Sequence, residues 1–239
     1  MILSLDLNPD LTMLNQFLIS SVFLTSFLSF LLGIYSFFRN PKSLTVKLLL
    51  LFTFTLGLVN LSFWFFLISN SSNAVTFYAR LVYFFLSFVP VTFLHFLFSF
   101  TIQLNRSKKI LILLMYFFTV IFSYLSLTNS VVKGASPKAG IPLYPDNGTY
   151  YYLFIGWFIL FTAMVFYFLF KEYFRSSGIM RQKLFWILIG VLFVCLTSLT
   201  GNLPQTFGVF PYGYLFAWMY PIFIMYGVFV DEIKIKIKF

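Results

Sequence analysis

The chain has 239 residues, 61% hydrophobic and 9% charged, with a formal net charge of +10. A soluble domain carries about a quarter charged residues, so this chain cannot cover its own surface with polar groups in water. The medium around most of it is lipid. Seven spans of roughly 20 residues each, joined by short loops, use up the length and leave no room for a soluble catalytic domain.

The expected fold is an all-α membrane protein, a seven-transmembrane-helix bundle forming one domain over residues 1–232. The first sixteen residues contain Asp6 and Asp10 but no Lys or Arg. A cleavable signal peptide begins with a basic segment, so the first apolar run is expected to stay as a helix. The runs lie at about 15–38, 44–68, 76–102, 109–128, 149–170, 183–202 and 212–230 by hydropathy and length. Polar or turn-forming segments separate them, the longest from Asn129 to Asn147. Each run reads as a helix, because backbone groups in hydrocarbon have to pair within the segment.

In the first run Ser21, Thr25, Ser29 and Gly33 recur every four residues and line one side, a small-residue packing seam. Pro90 and Pro221 lie inside runs three and seven. Each is expected to bend its helix, free a carbonyl and act as a hinge. The loops after runs one, three and five and the C-terminal tail hold 13 of the 16 basic residues. The positive-inside rule then puts the N-terminus outside and the C-terminus in the cytoplasm. The positive charge is a topology signal and not a nucleic-acid footprint.

The six acids (Asp6, Asp10, Asp146, Glu172, Asp231 and Glu232) read as tail or loop residues. With no carboxylate inside a span, paired-aspartate proteolysis and acidic proton relays are excluded. One His and one Cys cannot furnish a three- or four-ligand metal site. No HExxH, Walker or GxSxG motif is present, and no Lys in run seven could hold retinal. No catalytic residue, metal or cofactor is expected. Cys195 has no intrachain partner for a disulfide. The 37 phenylalanines, beside many Leu, Ile, Lys and Asn residues, suggest an AT-rich genome and do not by themselves mark a ligand site.

His95 is the one ionisable group deep in a run. It reads as a proton sensor, as the ligand of a single porphyrin-like pigment, or as a neutral imidazole bonded to a neighbouring helix. Toward the outside, Asn60 and Trp64 share a face of run two, and Arg80 and Tyr83 share one of run three. Asn202 and Gln205 close run six, and Tyr212 and Tyr214 open run seven. These eight form either an outward-facing polar, aromatic ligand pocket, with Arg80 meeting an anion, or an interfacial belt. In the tail, residues 233–239, Ile233, Ile235, Ile237 and Phe239 alternate with three lysines. Period two is a strand pattern and nothing else in the chain reads as a strand. The tail therefore adds to a sheet in a partner or lies on anionic lipid.

The order of these features resembles the seven-helix sensor domain at the N-terminus of many bacterial histidine kinases. It is carried by Arg80 to Tyr83, Pro90 and Phe93 to Phe96, then by Gly148 with Tyr151, Tyr152 and Phe154. Arg175, Arg181 with Gln182, Leu188 to Gly190, Asn202 to Pro204, Gly208, Pro221 and Tyr226-Gly227 complete it. The resemblance implies a non-enzymatic input module in a bacterial cytoplasmic membrane. In it, a stimulus moves span seven against a cytoplasmic partner or output domain. Family members usually continue into such a domain, and this chain stops nine residues after run seven, as a truncation or a stand-alone form. A structural subunit of a larger membrane complex is the alternative, and a small-solute transporter the third reading. The expected partners are the bilayer, a membrane or cytoplasmic protein at the tail, and a second copy in a homodimer; nucleic acid is not one.

Overall fold

A computed structural model describes residues 9–101 and 105–237. Helices α1 (Pro9–Arg39), α2 (Leu44–Ile68), α3 (Ser72–Phe100), α4 (Arg106–Ser126), α5 (Tyr151–Arg175) and α6 (Gly178–Gly201) follow the first six apolar runs. All six are long and apolar enough to cross a membrane. Side-chain caps start two of them: Ser71 accepts from the Ala74 amide at 3.2 Å and Asn105 from the Lys108 amide at 3.0 Å. Each satisfies an amide that has no partner inside the first turn.

The seventh run is composite. After a short helix α7 (Leu203–Phe207) come a 3-10 turn (Tyr212–Phe216) and α8 (Met219–Ile237), whose apolar part is Met219–Val230. Twelve α-helical residues rise about 18 Å and five 3-10 residues about 10 Å, close to the roughly 30 Å of hydrocarbon in a bilayer. Pro221 is therefore not inside a long helix as the sequence suggested. It is the third residue of α8, where the missing N–H costs no helical hydrogen bond.

Helices α1, α2, α3, α5, α6 and α8 close a ring, each packed on the next, and α4 lies outside it against α3. Helix α3 is buried on several sides, with Val91, Leu94, Phe96, Leu97 and Phe98 all fully buried. Peripheral α4 instead leaves Leu113, Phe117, Val120 and Tyr124 exposed to lipid. Pro90 sits in a helix that continues unbroken on both sides of it.

The small residues of α1 serve two neighbours. Gly33 lies against Thr53 of α2, and Ser26 donates to the Gly57 carbonyl at 2.9 Å. Ser21 donates to the Tyr214 carbonyl at 2.6 Å, fastening α1 to the 3-10 turn. Thr25 and Ser29 donate back to their own helix at Ser21 and Thr25.

Three further features depart from the sequence reading. The segment after α4 is a β-hairpin, β1 (Val132–Lys138) paired antiparallel with β2 (Ile141–Asn147), so the described fold is not purely helical. Its two-residue turn, Ala139 (φ 52°) and Gly140 (φ 76°), has both residues in the left-handed region, as a twist-matched hairpin turn requires. Second, α5 runs on to Arg175, which makes Glu172 a helical, buried residue 3.5 Å from Lys108 of α4. The loop assignment of that carboxylate is corrected. Third, the backbone through Ile233, Ile235 and Ile237 continues α8 as helix, so the period-two pattern is not expressed as a strand. Phe239 lies outside the described residues.

Candidate functional site

The hairpin folds over one end of the bundle and is fastened to three helices. From α3, Arg80 donates through Nε and Nη2 to the Val132 carbonyl at 3.2 and 3.0 Å, and through Nη2 to Asn129. From α1, Asn15 donates to the Gly140 carbonyl at 3.2 Å. Into α6, Tyr144 of β2 donates to the Gly201 carbonyl. The Tyr144 phenol is held well above its ordinary pKa by burial first and then by the neighbouring Tyr214 and Tyr151, so it remains a donor. Within the hairpin Asp146 pairs with Lys138 at 2.9 Å and accepts from Ser136 at 2.7 Å. Burial raises the Asp146 pKa, but hydrogen bonds from Lys138 and Ser136 and the charges of Lys138 and Lys133 outweigh it and hold it below its ordinary value.

Beneath Tyr144 lies a cavity of about 30 Å³ walled by Phe63 and Phe66 of α2, Tyr83 of α3, Asn202 at the end of α6, and Tyr214. It is large enough for a water molecule. Asn202 organises its polar side. The Asn202 Oδ1 accepts from the Tyr83 hydroxyl at 3.1 Å and the Tyr151 hydroxyl at 3.0 Å, while Nδ2 donates to the Ser198 carbonyl at 2.6 Å. Tyr151 also lies 3.4 Å from the Thr206 hydroxyl. One amide thus ties α3, α5 and α6 together. Among the described residues no Lys, Arg, His, Asp or Glu lines the cavity, so the arrangement suits a neutral group that makes hydrogen bonds.

Of the eight residues expected to converge here, Tyr83, Asn202 and Tyr214 line the cavity. Arg80 stands nearby, but its Nε and Nη2 hold the hairpin. Asn60 is buried lower down and donates to the Tyr220 hydroxyl at 2.7 Å. Trp64 stacks against Phe23 and Phe65. Tyr212 is 54% exposed and turned onto Phe210. Gln205 belongs to α7. Tyr144 and Tyr151 were not expected in the site. Tyr144 is hidden in a loop-like stretch, and Tyr151 stands at the start of α5, a hydroxyl-bearing residue at a span end.

Five residues before the end of α3, His95 lies 3.4 Å from the Tyr116 hydroxyl of α4. Among the described residues no group of three or more His, Cys, Asp or Glu comes together.

Residues 21–232 match the family described as the N-terminal 7TM region of histidine kinase. The chain belongs to that family. No curated protein and no solved structure matches it. As an N-terminal 7TM region of a histidine kinase it is a multi-pass membrane sensor region. The residues that carried the resemblance in the sequence meet in space: Tyr83, Tyr151 and Asn202 form the hydrogen-bonded cluster, and Arg80 fastens the hairpin above it.

Proposed function

We propose that this chain is the input module of a signalling system in a bacterial cytoplasmic membrane. The hairpin end faces outward and α8 delivers the signal to a cytoplasmic partner. Orientation rests on charge: Arg39, Lys42, Lys47, Arg106, Lys109, Lys171, Arg175, Arg181 and Lys183 gather at the ends of helices opposite the hairpin, and basic residues mark the cytoplasmic side. The chain acts without catalysis of its own, by shifting between two packings. A stimulus moves such an equilibrium only by binding them unequally.

The observation that carries the reading is the link from Asn202 to α8. Asn202 caps α6 and holds it to α3 and α5. Helix α6 in turn is packed on α8 at two glycines. A β-carbon at Gly190 would lie 2.6 Å from the Ile224 side chain, and one at Gly227 would lie 2.9 Å from the Ile187 amide nitrogen. Stacking of Trp186 on Phe223 and of Phe193 on Phe223 reinforces the pair. Such close backbones leave no room for sliding, so whatever displaces the end of α6 moves α8 with it.

The test is the autophosphorylation of the histidine kinase recovered with the chain in mild detergent from its own membranes. The variant Asn202→Leu should change its rate at equal chain abundance. An unchanged rate contradicts the reading, and recovery of stoichiometric non-kinase partners instead supports a structural subunit. Tags on Met1 and Phe239 should be reachable from opposite sides of intact cells.

A further inference from the structure

A path of adjoining cavities leads from the lipid-facing surface to Asn202. It begins as a half-open groove of about 210 Å³ between α5 and α6, with Ile159, Ala163 and Phe166 on one wall and Leu199 on the other. Ile159 is 50% and Leu199 56% exposed, so the mouth opens on the bilayer. Phe158, Thr162 and Cys195 form its floor, and the same three residues line a second cavity further in, of about 30 Å³, beside Pro90. Ser198 lines both that cavity and the polar one containing Tyr83 and Asn202.

The chemistry changes along the path. At the mouth it is almost wholly apolar, and at the inner end it presents the Tyr83 hydroxyl and the Asn202 amide. Among the described residues no Lys, Arg, His, Asp or Glu lines any of the three cavities. A charged head there would be buried unpaired at a cost of several kcal/mol, whereas a neutral hydrogen-bonding head would be satisfied.

We propose that the α5/α6 opening admits from the bilayer a single-chain amphiphile with a neutral hydrogen-bonding head, the tail lying in the groove and the head reaching Asn202. The inner cavities are closed to water size, so entry has to part α5 from α6. Because α6 is seated on α8 at Gly190 and Gly227, the parting is passed to α8. In this last respect the inference rests on the input-module reading; the site itself does not.

Cys195, the single thiol, reports on the path directly. The full chain is placed in nanodiscs of phosphatidylcholine and phosphatidylglycerol, and mercaptide formation at Cys195 by phenylmercuric acetate, which attacks the un-ionised thiol and releases acetic acid, is timed with 1-dodecanol, dodecane or dodecyltrimethylammonium at equal mole fraction in the membrane. Dodecanol should slow this reaction about tenfold near saturation, as expected when occupied sites exclude the reagent. Dodecane and the cationic amphiphile should leave the rate within about twofold, because neither satisfies the inner polar groups. Ala163→Trp, on the lipid face where the fold bears no load, should abolish dodecanol protection. Equal protection by dodecane and dodecanol, or undiminished protection in Ala163→Trp, overturns the proposal. Protection by dodecanol with unchanged kinase autophosphorylation upholds the site and removes the input reading.

Discussion

Gly227 lies so close to α6 that a β-carbon added to it would stand 2.8 Å from the Ile187 side chain and 2.9 Å from the Lys183 carbonyl oxygen. Small residues of this kind let membrane helices approach backbone to backbone, where dispersion and not the hydrophobic effect holds them. Gly227→Val and Gly190→Val should therefore each lower stability by about 1–3 kcal/mol, the usual cost of overpacking. Gly156, with nothing within 4 Å of an added β-carbon, is the control. Gly156→Ala should be neutral or stabilising by up to about 1 kcal/mol. Thermal unfolding in detergent checks all three.

The Asn202 cluster should behave as a coupled unit. Tyr83→Phe and Tyr151→Phe each remove one donor to the same oxygen, and each should cost about 0.5–1.5 kcal/mol. Asn202→Leu should cost more than either and make the two tyrosine substitutions nearly silent. A double-mutant cycle on unfolding measures this. Additive losses from Tyr83→Phe and Asn202→Leu would mean that the bond is not formed.

Arg80 binds the hairpin through Nε and Nη2. Arg80→Ala should raise amide hydrogen exchange and protease cleavage across residues 131–147 while leaving α1 and α2 protected. The opposite effect is expected at the turn. Ala139 adopts a left-handed φ of 52°, a conformation that disfavours a β-carbon by about 1–2 kcal/mol and suits Asn better. Ala139→Asn should slow exchange in the same segment.

The Asp146–Lys138 pair gives the hairpin a pH dependence of known sign. The folded carboxyl is held below its ordinary value, so the pair contributes fully above the unfolded pKa of about 3.9. That contribution is lost as pH falls through the folded pKa. Both side chains are partly exposed, which limits the effect to about 1 kcal/mol or less and makes it salt-sensitive. Protection factors across the hairpin, each taken against the intrinsic exchange rate at the same pH, should fall from pH 6 down to 3 in the natural protein and stay flat in Asp146→Asn.

How much of this could be read from the sequence differs by element, for physical reasons. The long helices were plain because lipid permits little else, and Tyr83, Asn202 and Tyr214 were marked by being polar at span ends. The hairpin was hidden. β1 is Val-Lys-Gly-Ala-Ser-Pro-Lys, without the β-branched alternation that signals a strand, and Pro137 falls at an irregularity in the register where its missing N–H is tolerated. With the hairpin unseen, neither Tyr144 nor the hairpin partners of Arg80 could be placed. The tail erred in the other direction, since alternation in Ile233 to Ile237 suggested a strand, yet the helix already running from Met219 continues through it. Glu172 was misassigned by a boundary of a few residues, because its partner Lys108 is distant in sequence.

The claim on which all else turns is that α6 and α8 move as one body when the Asn202 end is disturbed. Spin labels on the lipid-exposed positions Leu51→Cys of α2 and Met225→Cys of α8, in a Cys195→Ala background, measure it as a distance distribution. A second pair, Leu51→Cys with Phe77→Cys of α3, serves as the reference. Adding Asn202→Leu should shift or broaden the first distribution and leave the second in place. If the 51–225 distribution superimposes with and without Asn202→Leu, α8 does not follow the site and the account is wrong.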